Sequence, residues 1–140
     1  MLDAHCHLDD PRIAARVNND IARAQESGIR GFVCAGVNAR RWSEQVAASC
    51  GLDCVAHCFG FHPLLHEVER LSDVDAALAR LEEVLRGTLG VEPVGLGETG
   101  LHRLRKGSGE DWSIQKTLFA AQIQLAQQMA APVGSALQTG

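Results

Sequence analysis

His5 and His7 stand one residue apart near the start of the chain. Side chains of an extended segment alternate, so two imidazoles at this spacing share one side and can reach one divalent ion. Glu98 lies in the run Gly95-Leu96-Gly97-Glu98-Thr99-Gly100-Leu101. The glycines keep that segment narrow, and a carboxylate there can bridge two cations. His62 precedes Pro63, which pushes it towards extended backbone. Its ring could orient a phosphate or a metal-bound water. Imidazole with carboxylate suits zinc, manganese or magnesium, so the chemistry open to these residues is that of a bound divalent ion. Each residue alone also has a plain reading: two surface histidines, a solvated rim glutamate, a histidine that merely caps a strand. His57 and His66 read as structural or solvent-exposed.

The elements that must position these residues alternate between short apolar runs and amphipathic stretches. Strands are expected at 2–5, 31–35, 54–60 and 93–98, with a fifth beginning at Pro132-Val133. Helices are expected at 11–26, 40–49, from a Ser72 or Asp73 cap through Leu85, and at 114–129, with a polar loop over 99–111. Repeated strand-then-helix units give a parallel sheet covered by helices. His5 and His7, His62, and Glu98 fall at or just past the C-terminal ends of successive strands. In a (β/α) barrel that end is the catalytic face.

The 140 residues, 46% hydrophobic and 21% charged, describe a globular chain of a length suited to one domain. Charges or glycines interrupt every apolar stretch, so no membrane-spanning helix is expected. Met1-Leu2-Asp3-Ala4-His5 has neither a basic nor an apolar leader region, which points to a cytoplasmic chain. The five cysteines, Cys6, Cys34, Cys50, Cys54 and Cys58, form no framework of a small secreted domain. Cys50, Cys54 and Cys58 recur every four residues, a spacing that invites a zinc site. No CxxC pair accompanies them, and buried free thiols suffice as an explanation. A formal net charge of -4 argues against broad electrostatic capture of nucleic acid. It leaves a nuclease open, because bound cations would reverse the local field.

The runs His5-Cys6-His7-Leu8-Asp9, Gly60-Phe61-His62-Pro63 and Gly97-Glu98-Thr99-Gly100-Leu101 stand in the order and approximate spacing of the TatD-type hydrolases. The stretch from Gln115 to Met129, followed by Pro132-Val133, also resembles that family's next segment, so the resemblance covers nearly the whole chain. It implies a TIM-type (β/α) barrel of the metal-dependent hydrolase superfamily that cleaves phosphodiester bonds, with DNA as the usual substrate. It implies two divalent ions (Zn, Mn or Mg), one held by His5 and His7 and bridged to the second by Glu98, the catalytic carboxylate. His62 would lie in the substrate pocket. Arg103, with Arg105 and Lys106, could meet DNA phosphates or form a solvated basic loop.

The departures matter as much. Ala136 stands where the family places a metal-binding histidine, a later histidine and aspartate have no counterpart here, and His102 stands where the family usually has Asp. A closed barrel needs eight strands, and four with the start of a fifth are legible. A doubly wound sheet would instead put helices on both faces. The expectation is therefore one apparently truncated domain over 1–140, the N-terminal half of a barrel, with one ion bound and weak or no activity alone. Its open sheet face would invite homo-oligomers. A fragment, a frameshifted product and a true short protein all stay open. So do two other functions: a non-catalytic metal- or partner-binding remnant, and a hydrolase of small amides, lactones or phosphoesters.

Overall fold

The computed structural model describes residues 1–64, 74–102 and 109–135. Five parallel strands lie side by side in chain order: β1 (Leu2–Cys6), β2 (Gly31–Ala35), β3 (Val55–Phe59), β4 (Gly95–Thr99) and β5 (Val133–Ser135). Parallel neighbours require a crossover, and helices provide each one. These are α1 (Val17–Glu26), α2 (Trp42–Ala48), α3 (Val74–Leu85) and α4 (Gly109–Gln128).

The register shows which face each strand buries. Phe32 pairs with Val55, Cys34 with His57, and Phe59 with Leu96, so these side chains share one face of the sheet. Phe32 and Cys34 pack with Val17 and Ile21 of α1. Phe59 and Leu96 pack with Trp42 of α2, Leu81 and Val84 of α3, and Leu118 and Leu125 of α4. The four described helices therefore cover the same face, as in the wall of a barrel. The opposite face carries Val33, Ala35, Ala56, Cys58, Gly95 and Gly97 by alternation. A doubly wound sheet is excluded by this one-sided layering.

Within the described residues the expected elements occur in the expected order, and the differences lie at their ends. The stretch from Pro11 does not start as α-helix. Asp10 accepts the Arg12 N–H at 2.8 Å on its side chain and the Ile13 N–H at 3.0 Å on its carbonyl. The chain then makes one 3-10 turn, Ala14–Arg16, before α1 begins at Val17. Helix α4 begins at Gly109, inside the expected 99–111 loop, and Thr99 closes β4. The capping pair Ser72 and Asp73, His66, Arg103, Arg105, Lys106 and Ala136 lie outside the described residues.

Helix α4 buries more than an apolar stripe. Gln115 and Gln122 are 2% and 1% exposed, and they alternate with Leu118 and Leu125 on the buried side. A buried amide is costly unless both its ends are bonded, and these two are spent on the backbone of the strand exits.

Candidate metal centre

Three strand ends meet at one point. β1 carries His5, with His7 one residue beyond its end, β4 carries Glu98, and His62 follows β3. The Nε2 atoms of His5 and His7 are 3.2 Å apart. Glu98 Oε2 lies 3.4 Å from His5 Nε2 and 3.6 Å from His7 Nε2. The other carboxylate oxygen, Oε1, lies 3.4 Å from His62 Nε2. The Glu98 side chain is 9% exposed, whereas those of His5 and His7 are 50% and 39% exposed. The site is thus a buried carboxylate roofed by imidazoles that face solvent.

Hydrogen bonds fix the roles of two rings. His7 Nδ1 lies 2.9 Å from the Ala35 carbonyl, which can only accept, so Nδ1 carries the proton. Its Nε2 lone pair is thereby turned towards Glu98 and His5, the arrangement by which outer partners orient metal-binding histidines. His62 is the reverse case. The Leu64 N–H donates to His62 Nδ1 at 3.2 Å, so the proton of the neutral ring sits on Nε2 and faces Glu98. Burial pushes the Glu98 carboxyl up. The hydrogen bond from His62 and the attraction of His62, His5 and His7 outweigh it, and the net shift is downward. Glu98 is therefore held as the anion.

The backbone explains why these groups meet. The Glu98 N–H donates to Gly36 O at 2.8 Å, and the His62 N–H donates to Val37 O at 3.1 Å. The turn after β2 thus ties the exits of β3 and β4 together. Gly60 lets those exits approach: a Cβ there would stand 2.8 Å from Glu98 O and 2.9 Å from Gly97 C.

The donor set fits a divalent cation. One ligand atom each from His5, His7 and Glu98 lies within 4.8 Å of the others. Ligands bonded to a tetrahedral ion at zinc-like lengths stand about 3.3 Å apart, close to the separations seen here. The structure brings together His5, His7, Glu98 and His62. Arg103 and the position of the family histidine, Ala136, are outside the described residues. Cys50 is exposed, Cys54 half-buried and Cys58 buried, so the four-residue spacing does not place them alike. His57 is buried on the helix-covered face, 3.2 Å from the Gln45 amide and 2.9 Å from Ser49 Oγ.

Sequence reasoning missed Arg41. Its Nε donates to Asp9 Oδ2 at 2.9 Å, and its Nη2 donates to the Asp9 carbonyl. This contact pins the loop that follows His7. Nothing in the spacing of two residues so far apart announces the pair.

The family model described as TatD related DNase matches residues 2–134. The 3'-5' ssDNA/RNA exonuclease TatD of Edwardsiella piscicida is 31% identical over 134 residues, covering 95% of this chain and 48% of that protein. The human deoxyribonuclease TATDN3 is 27% identical over 140 residues, covering 95% of this chain and 50% of its own length. The solved structure of YJJV, a TatD homologue from Escherichia coli K12, superposes with a TM-score of 0.79 at 23% identity. That match covers 96% of this chain and 49% of the other, and it shows a shared fold. The chain spans about half the length of the curated relatives it matches. Five parallel strands with helices on one face make it half of a TIM-type barrel, and the chain belongs to the TatD related DNase family.

Proposed function

We propose that this chain carries one half of the active site of a metal-dependent phosphodiester hydrolase, with DNA as its substrate. The observation that carries the reading is the convergence of His5, His7 and Glu98 on one point at the strand exits, with His62 on the far carboxylate oxygen. His5 and His7 would hold one divalent ion through Nε2, and Glu98 would share Oε2 with it. Zinc, manganese and magnesium all suit these donors. A bound divalent ion supplies Lewis acidity towards phosphate and makes a nucleophile of water at neutral pH.

The chain's own residues do the rest. The Ala35 carbonyl keeps the His7 proton on Nδ1, so Nε2 stays free to bind. Glu98 remains ionised and presents Oε2 to the centre. His62 holds Oε1 through its Nε2–H, and the same donor can turn to a phosphate oxygen when substrate arrives. Arg103, outside the described residues, is proposed to contact backbone phosphates.

The described half offers donors for one ion and few for a second, so this polypeptide alone is expected to cleave DNA slowly or not at all. No helix among the described residues is long and apolar enough to cross a membrane. The two edge strands carry exposed apolar side chains, Leu2 at 75% and Val133 at 40%. We propose that the chain self-associates through the exposed sheet face that these strands border. Size-exclusion mass that stays monomeric at all concentrations would count against that.

The test of the function is cleavage of single-stranded DNA with manganese, beside a generic phosphodiester and a lactone. Slow cleavage restricted to DNA and lost in Glu98→Ala supports the reading. A preference for the lactone would favour a small-molecule hydrolase, and fast cleavage by the chain alone would overturn the half-site.

A further inference from the structure

We propose that the two buried glutamines of α4 are positioning residues for the metal centre: Gln122 sets the exit of β3 that aims His62 at Glu98, and Gln115 fixes the exit of β4 that carries Glu98. The inference rests on the reading of that centre given above.

The ladder between β3 and β4 pairs Cys58 with Gly95 and Phe59 with Leu96. Phe61 lies beyond that ladder and still has both backbone groups bonded. Gln122 Oε1 accepts the Phe61 N–H at 2.8 Å, and Gln122 Nε2 donates to Phe61 O at 3.2 Å. One side-chain amide thus imitates the next rung of the sheet. The peptides flanking Phe61 cannot rotate without breaking one of these bonds, and the next residue is His62. From there the contacts run to Val37 O, to the Leu64 N–H and to Glu98 Oε1.

Gln115 makes the matching contact one strand over. Its Oε1 accepts the His102 N–H at 2.9 Å, four residues past Glu98. The two glutamines are seven residues apart, about two helical turns, and so lie on one face of α4. Leucine would pack at either position, as Leu118 does between them, without burying an amide. Burying the amide instead fixes two strand exits from one rigid helix, which keeps His62 and Glu98 in register. Outer partners of this kind typically change metal affinity ten- to a hundredfold when removed.

The test compares Gln122→Leu with Gln45→Leu. Gln45 is equally buried and also bonds backbone, donating to Cys34 O at 2.9 Å and Cys58 O at 3.3 Å, whereas the Phe61 and His102 backbone bonds go to Gln122 and Gln115. The first readout is the His62 ring in metal-free, 15N-histidine-labelled protein at neutral pH. The wild type is expected to hold the proton on Nε2, Gln122→Leu to lose that preference, and Gln45→Leu to keep it despite lower stability. The second is manganese affinity, expected to fall about tenfold in Gln122→Leu and less than about twofold in Gln45→Leu. If the wild type binds no manganese, the metal reading fails while the ring readout still decides the positioning role. If Gln122→Leu does not fold, Gln122→Glu keeps the acceptor for the Phe61 N–H and loses the donor, and a partial loss of the ring preference is expected. An unchanged ring state in the folded Gln122 variant would overturn the proposal.

Discussion

Strand β3 presents two histidines with opposite surroundings. His57, within the strand, is 5% exposed and spends both ring nitrogens on fixed neighbours. The Gln45 amide also donates to Cys34 O, so it can only be a donor to His57 Nδ1. The His57 proton then sits on Nε2, aimed at Ser49 Oγ 2.9 Å away. The distance resembles a nucleophile–base pair, but a ring protonated on that nitrogen cannot take the serine proton. His62, beyond the strand end, commits one nitrogen to the Leu64 N–H and turns the other to an ionised carboxylate. A histidine is a candidate site residue when its free nitrogen faces charge at a strand exit, and a core residue when neutral partners saturate it.

Several changes would break or sharpen that contrast. The largest effect is expected from Glu98→Ala, which removes the carboxylate shared by three histidines. Divalent affinity should fall by about a hundredfold or more in a calorimetric titration, as for loss of a direct ligand rather than an outer partner. Gly60→Ala comes next, because its Cβ would press on the Glu98 backbone. A loss of about 1–3 kcal/mol in denaturant unfolding is expected, together with weaker metal binding.

His57→Leu should cost a similar 1–3 kcal/mol or so by removing the ring's bonds to Gln45 and Ser49, yet leave metal affinity unchanged. If affinity fell as well, the two histidines would not be separable in this way. The smallest effect concerns pH. Burial lowers the His57 pKa below its ordinary value of 6.5. The unfolded chain therefore binds the proton first as pH drops, and stability should decline from about pH 6.5 downward. Glu98, whose pKa is also lowered, contributes stability that is present above its ordinary 4.5 and lost only as pH falls below that. Unfolding of His57→Leu across pH should lack the upper window and retain the lower one.

The order of elements was legible because strand and helix periods differ and glycines mark the exits of α1 and α2. The strand β2 over Gly31–Ala35 was read to the residue, its buried composition bounded by turns. The rim was legible too, since His5, His7, His62 and Glu98 each sit where an apolar run ends. What stayed hidden depends on contacts between distant residues. The Arg41–Asp9 pair and the Gln122–Phe61 clamp carry no periodic signal, and a buried glutamine reads as a polar interruption of an apolar face. The start of α1 was misplaced because Asp10 bonds the Arg12 N–H locally, a choice no hydrophobic pattern records. Layering on one face could be read only once the register showed Phe32, Phe59 and Leu96 on the same side.

The most direct measurement is the stoichiometry of divalent binding by the purified chain, titrated with manganese and again with zinc. One ion per chain is expected, lost when His5→Ala and His7→Ala are combined and unaffected by His57→Leu. No binding at all, or binding that persists in the double histidine variant, would contradict a metal centre at the strand exits.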